Sequence, residues 1–366
     1  MKIVADQNIA LALELFEQFG NVQLLPGREI DRDSVRDAQI LLVRSVTQVN
    51  AALLEGSQIE FVGSATAGTD HINLDYLADN NIHFAYAPGC NAAAVVQYVL
   101  SSLCYLCPDW QHQTIGILGC GNVGGRLYQN LKKLGVKTAV CDPFLKQNTV
   151  RDLCSFDELL QSDIISLHTP LTTEGPYPTF HLFDKQILER LNLNAVLINA
   201  ARGGVIDNGA LLEHLQTGSD LQVVLDVWEQ EPNINTQLLE LVELATPHIA
   251  GYSEQGKING STMLHSSLMD KYRLQVQSNA EDYSDSSGAQ LELHSESINE
   301  ALLASYDIRE DDKRLRQAIN QSGRSVPEAF DQLRRDYPKR KEFNHFTIPR
   351  NHPDAYKLAV LGFVTD

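Results

Sequence analysis

The stretch Thr114-Ile115-Gly116-Ile117-Leu118-Gly119-Cys120-Gly121-Asn122-Val123-Gly124 decides the fold. Its first five residues form the short, almost continuous apolar run expected of a strand buried on both faces of a parallel sheet. A G-x-G-x-x-G turn follows directly and opens a helical pattern that runs through Leu134, after which a second strand, Lys137–Cys141, ends at Asp142. Asp142 lies 18 residues beyond the third glycine, close to the spacing at which an acid meets the ribose of a bound dinucleotide. Each glycine has a reason: Gly119 for the tight turn, Gly121 for close approach of backbone to pyrophosphate, Gly124 for helix–strand packing. The helix start, with Asn122 and Val123, presents unpaired N–H groups and a positive dipole end to phosphate. Asp142 would accept from ribose hydroxyls and repel a 2′-phosphate, which favours NAD over NADP.

Further strands follow at Ile164–Leu167, Ala195–Asn199, Val223–Asp226 and Leu244–Thr246, making six with helices between them. An earlier series contains strands at Lys2–Ala5, Ile40–Arg44, Phe61–Ser64 and His83–Tyr86, with helices at Ala10–Phe19 and around Asn50–Leu54. A mostly apolar helix, Asn91–Cys107, connects the two series, and Ser253–Gln277 reads as a helix returning to the first. The polar run 278–290 reads as a linker, and the tail beyond it mixes short strands with helices. The expected class is therefore α/β, with two doubly wound parallel-sheet domains, Rossmann-like and flavodoxin-like, and a small α+β C-terminal domain. The expected boundaries are 1–92 with 253–280 for a substrate domain, 93–252 for the dinucleotide domain and 286–366 for the third.

Composition narrows the partners. Lys plus Arg number 29 against 47 Asp plus Glu, a formal charge of −18, which argues against nucleic acid and anionic membranes as partners. No run reaches the roughly 18 apolar residues of a membrane span, and the N-terminus lacks a signal-peptide pattern, so a cytoplasmic protein is expected. Cys104 and Cys107 form a C-x-x-C, but inside an apolar helix without a second ligand pair, so they read as packing and no metal is expected. Eleven Lys or Arg residues lie between Arg309 and Arg350, interspersed with acids, and read as a solvated helix face.

Three polar residues follow three consecutive strands: Arg202 after Ala195–Asn199, Glu231 after Val223–Asp226, and His248 after Leu244–Thr246. In an open parallel sheet, ligands bind at the carboxyl ends of strands, so residues 29 and 17 positions apart can converge. The types suit oxidation of a 2-hydroxy acid. An arginine grips the carboxylate and polarises the C2 oxygen. A histidine takes the hydroxyl proton as hydride leaves, and a carboxylate steadies the ring and favours its protonated form.

At this point the chain resembles the D-isomer-specific 2-hydroxyacid dehydrogenase family. The resemblance rests on Ala67-Gly68-Thr69-Asp70-His71, the glycine loop, His168-Thr169-Pro170, Asn199-Ala200-Ala201-Arg202-Gly203-Gly204, Asp226-Val227-Trp228 and Thr246-Pro247-His248-Ile249-Ala250-Gly251. It covers residues 1 to about 275 and implies that Arg202, Glu231 and His248 are the catalytic set. It also implies NAD contacts from Asn122, Val123, Asp142, Thr169, Ala200, Ala201, Arg202, Asp226 and Gly251. Val43–Thr47, an insertion over Glu174–Leu182, and Tyr252 after the catalytic loop are similar to a branch that uses a phosphorylated 2-hydroxy acid. There Ser45, Thr66 and Tyr252 would touch substrate, and the tail from about 286 would form a homodimer. Arg44, at a strand end, is the leading side chain for substrate oxygens. Departures from the family are Gln97, where Glu is commoner, and Ala201, where Cys often stands. Other D-hydroxyacid dehydrogenases, and relatives of this fold that sense NADH as binding proteins, stay open as alternatives.

Overall fold

The computed structural model describes residues 1–146, 149–273, 290–321 and 323–366. The chain divides into two compact units, Met1–Asn91 with Ser253–Gly288, and Ala92–Tyr252 with Ala289–Asp366. The linker read over 278–290 lies, apart from Gln290, outside the described residues.

The first unit holds five parallel strands: β1 (Lys2–Asp6), β2 (Asn21–Leu25), β3 (Ile40–Val43), β4 (Phe61–Ser64) and β5 (His83–Tyr86). Their order is β2-β1-β3-β4-β5, the flavodoxin-like winding. β1, β3 and β4 are buried almost throughout, and their alternate side chains feed two cores. Ile3, Leu15, Phe16 and Phe61 pack with Leu264 and Leu268 of the helix Glu254–Tyr272. Val4, Leu41, Val43, Val62 and Leu77 fill the other face. β2 is the strand that the sequence pattern does not announce. It sits at the edge and is largely exposed, so it lacks the apolar run that burial imposes on its neighbours.

The second unit is built on six parallel strands: β6 (Thr114–Leu118), β7 (Lys137–Cys141), β8 (Ile164–Leu167), β9 (Val196–Asn199), β10 (Gln222–Leu225) and β11 (Leu244–Ala245). Their order, β11-β10-β9-β8-β6-β7, reverses direction between β6 and β8. That switch opens a crevice at the strands' carboxyl ends, where an open α/β sheet takes its ligand. The helix Ala92–Leu106 is buried over most of its length, Gln97 included. Cys104 is buried within it and its thiol is pushed up to about 12 by desolvation, in keeping with packing rather than redox chemistry.

The C-terminal segment packs on this same unit. β12 (Leu291–Glu292), β13 (Phe346–Ile348) and β14 (Val364–Thr365) form a small parallel sheet. Leu315 and Phe330, from the helices Ile308–Asn320 and Val326–Arg335, share one core with Ile165, Leu197 and Leu225 of the six-stranded sheet. Each fully buried side chain of this kind contributes about 1.5–3 kcal/mol. Polar ties add direction: Asp312 accepts from the Ala245 N–H at 2.8 Å, and Gln97 donates to the Lys341 carbonyl at 3.1 Å.

The solvated-face reading of the basic tail fails at Arg340. That residue is 6% exposed. It donates to the carbonyls of Ala94 (3.1 Å) and Ala250 (2.5 Å), and its guanidinium lies 4.3 Å from the Tyr306 ring centre. Interspersed charge looks the same in sequence whether a cation faces water or a buried carbonyl.

Candidate active site

The glycine loop has the geometry its spacing implies. Gly119 has φ +84° and, with a Cβ, would meet the His168 carbonyl oxygen at 2.8 Å. A Cβ on Gly124 would meet the Gly119 oxygen at 1.9 Å, whereas one on Gly121 would project into open space. Gly124 is thus required by packing, and Gly121 answers to whatever approaches the loop from outside. The helix Asn122–Lys133 begins at Gly121 without a side-chain cap, leaving its first N–H groups for a ligand. Asp142, at the end of β7, accepts from the N–H groups of Cys120 (2.9 Å) and Phe144 (3.1 Å), which fixes the acid beside the turn. Across the switch point, the Thr169 hydroxyl is buried with no hydrogen-bond partner among the described residues. An orphaned hydroxyl, an uncapped helix start and a glycine open to space fit a dinucleotide.

Arg202, Glu231 and His248 stand at the ends of β9, β10 and β11. The turn at Arg202 is held by Asn199, which donates to the Arg202 carbonyl (3.0 Å) and accepts from the Ala201 N–H (3.1 Å). A Cβ on Gly203 would lie 2.0 Å from the Trp228 carbonyl carbon, so the loops after β9 and β10 touch backbone to backbone. His248 has φ +55°, a conformation that side chains adopt only when the surroundings impose it. Here the imposing group is Asp226, 1% exposed. Its main-chain oxygen accepts from the His248 N–H at 2.7 Å. Its carboxylate accepts from the Thr246 hydroxyl (2.7 Å) and from the N–H groups of Ile249 (2.7 Å) and Ala250 (3.0 Å).

His248 Nδ1 is bonded to Glu231 Oε1, and Glu231 Oε2 accepts from the Trp228 N–H at 3.2 Å. Burial on its own would raise the Glu231 carboxyl. The His248 ring, the Arg334 guanidinium and the Trp228 N–H outweigh it and hold the group below its ordinary value. Glu231 is therefore a carboxylate over the working range, and Nε2 of His248 is the ring nitrogen left for a substrate. His168, by contrast, is pulled by desolvation to about 4 and stays neutral.

The insertion over Glu174–Leu182 is a closed loop. Thr179 donates to the Pro170 carbonyl (2.6 Å) and accepts from the Thr172 N–H (2.8 Å). His181 clasps Glu229 at 2.6 Å and its N–H donates to the Gly204 carbonyl at 2.8 Å. His181, Asp207 and Glu229 bring ligand atoms within 4.8 Å of one another, but that clasp and the Asn208 N–H (2.8 Å) already engage both Glu229 oxygens.

In the first unit, Arg44 and Ser45 follow β3 and Thr66 follows β4. Thr66 Oγ1 donates to the Gly68 carbonyl (2.9 Å) and meets Ser64 Oγ at 2.7 Å, which in turn meets His71 Nε2 at 2.9 Å. Tyr252, in the second unit, is half-buried, with its ring edge-on to Tyr337 at 5.7 Å. The sequence does not single out Ser64 and His71, which support Thr66, or Arg334, which acts electrostatically on Glu231. His71 lies within the Ala67–His71 motif and Ser64 ends the strand before it, while nothing in sequence sets Arg334 apart from neighbouring cations.

Residues 98–250 match a family model described as the NAD binding domain of D-isomer specific 2-hydroxyacid dehydrogenases. Residues 285–362 match one described only as a domain of unknown function. Erythronate-4-phosphate dehydrogenase of Saccharophagus degradans is 48% identical over 98% of this chain and 97% of its own length. That of Teredinibacter turnerae is 45% identical over 100% and 99%. The chain belongs to the erythronate-4-phosphate dehydrogenase family. Members of this family are NAD-dependent 2-hydroxyacid dehydrogenases, so this chain is an oxidoreductase that uses NAD. Solved structures agree on the fold. A 3-phosphoglycerate dehydrogenase of Entamoeba histolytica bound to NAD superposes with TM-score 0.65 at 24% identity, over 75% of this chain and 96% of that one. A D-lactate dehydrogenase of Aquifex aeolicus complexed with NAD and lactic acid gives 0.65 at 21%, over 74% and 95%. Among the described residues, no helix is long and apolar enough to cross a membrane.

Proposed function

We propose that this protein oxidises 4-phospho-D-erythronate at C2 with NAD⁺, giving (R)-3-hydroxy-2-oxo-4-phosphooxybutanoate, NADH and a proton, on the route to pyridoxal 5′-phosphate. The observation that carries the reading is the His248–Glu231 pair at adjacent strand ends of an NAD-binding sheet, in a chain so similar over its whole length to the curated relatives.

Gly119, Gly121, Asn122, Val123 and Gly124 would take the pyrophosphate, Asp142 the adenosine ribose, and Thr169, Ala200, Ala201, Arg202, Asp226 and Gly251 the remainder of the dinucleotide. Bound there, NAD supplies the acceptor for the C2 hydride. The chain's own work is on the substrate. Arg202 grips the carboxylate with paired donors and polarises the C2 oxygen. His248 Nε2 accepts the C2 hydroxyl proton. Glu231 holds the ring by Nδ1 and stabilises the imidazolium as it forms, which leaves the second nitrogen correctly aimed. Arg44, Ser45, Thr66 and Tyr252 would hold the rest of the phosphorylated acid. The region 286–366 would form a homodimer, and 1–92 with 253–280 and 93–252 the substrate and NAD domains, in a cytoplasmic enzyme.

The test is NADH formation by purified protein with 4-phospho-D-erythronate, 3-phosphoglycerate and unphosphorylated D-2-hydroxy acids. A kcat/KM at least tenfold higher for 4-phospho-D-erythronate supports the reading; preference for another acid, or tight NAD binding without turnover, overturns it.

A further inference from the structure

The loop that carries His248 and Tyr252 is flanked by a segment from the C-terminal region, the part matched only to a domain of unknown function. The Arg334 guanidinium lies 5.8 Å from the centre of the Tyr252 ring, and Tyr337 meets that ring edge-on, at an interplanar angle of 84°. Arg340 donates to the Ala250 carbonyl. Arg334 stands at the end of the helix Val326–Arg335, and its Nε is buried with no hydrogen-bond partner among the described residues. It also acts electrostatically on Glu231 and on Asp226, the two carboxylates that hold His248.

The next residue gives the contrast. Arg335 has a side chain 67% exposed and lies 4.0 Å from Asp336. Adjacent arginines on one helix thus differ in kind, one facing water and the other set against the reacting loop. A planar cation over a tyrosine face restrains the ring, and a cation beside a carboxylate in a partly desolvated site is screened far less than one on the surface.

We propose that Arg334 is a positioning residue for the reaction: its guanidinium fixes the Tyr252 ring and steadies the Glu231 carboxylate against His248, so that the C-terminal region supplies, within its own chain, a cation on which turnover depends. The inference deepens the proposed function, since it takes Glu231 and His248 as the reacting pair.

Its sign on protonation follows from the groups in this unit that face the pair: the acids Glu231 and Asp226 from the strand ends, the neutral phenol of Tyr252 from the loop, and the Arg334 cation from the C-terminal helix. Removing Arg334 leaves the surroundings of the imidazole one charge more negative, which favours its protonated form. The base would then be lost at a higher pH during oxidation.

The experiment compares Arg334→Gln and Arg334→Lys with Arg335→Gln as the exposed control. It measures kcat and KM with whichever D-2-hydroxy acid the wild type oxidises fastest, the NAD Kd, and the midpoint of His248 titration by NMR without substrate. For Arg334→Gln the expectation is a kcat at least tenfold lower, an NAD Kd within twofold, and a His248 midpoint displaced upward. Arg334→Lys should keep the midpoint, because the charge stays, and lose kcat several-fold, because the planar fork is gone. Arg335→Gln should change none of these. An Arg334→Gln protein with wild-type kcat, KM and midpoint, whatever its Tm, overturns the proposal. Should that variant fail to fold, Arg334→Lys decides, and an unchanged kcat overturns it. If the wild type oxidises none of the acids, the functional reading has failed on its own, and the NMR midpoint still judges Arg334.

Discussion

At the residue scale the site is a chain of three acceptors and donors around one imidazole. Asp226 fixes the backbone of His248, Glu231 fixes its ring, and the Trp228 N–H fixes Glu231. Replacing Glu231 by Gln removes the charge that supports the imidazolium while keeping the shape, and kcat should fall by about 10²–10⁴ with NAD affinity unchanged, as read by steady-state rates and NAD titration. Stability should respond to pH as well. A carboxyl held below its ordinary value in the folded chain stabilises the protein above its unfolded pKa, and that contribution is lost as pH falls through the lowered value. Thermal melts from pH 6 down toward 3 should therefore show a shallower acid decline for Glu231→Gln than for the wild type; parallel curves would refute this.

At the element scale the loops after strands decide what binds, and glycine separates packing from ligand approach. Gly124→Ala places a Cβ 1.9 Å from the Gly119 oxygen, a clash with backbone that cannot rotate away, and should cost roughly 1–3 kcal/mol of stability. Gly121→Ala meets nothing, so it should melt like the wild type yet bind NAD at least tenfold more weakly. Melting curves and NAD titrations on both variants check the pair, and equal losses of stability would contradict the division of roles. The strands bearing these loops were legible in sequence because burial on both faces makes them mostly apolar; β8 and β9 are buried at every position. β2 was not legible, because an exposed edge strand carries no such run. The proposed trio was read from residues that follow three successive strands, and of the three the sheet brings Glu231 and His248 into direct contact.

At the scale of the whole molecule, the chain is two units, and the C-terminal region belongs to the core of the second. Leu302, Phe346 and Leu358 share one cluster with Val99, Leu127 and Val140, while Leu315 and Phe330 join another. Removing the chain after residue 285 would strip apolar partners from both, so the truncated protein should lose its cooperative melt and NAD binding. A monodisperse, NAD-binding truncation would show the region to be a separable assembly module. The sequence concealed this because cations that dock on carbonyls or rings, Arg340 and Arg334, sit among others that face water.

The proposed chemistry depends above all on His248 as the base that takes the C2 hydroxyl proton. The most direct test is the single-turnover rate of NADH formation by His248→Gln against the wild type, with NAD affinity measured in parallel. The expected rate is lower by about 10²–10⁴ at unchanged NAD Kd, whereas a rate within tenfold of the wild type would contradict that role.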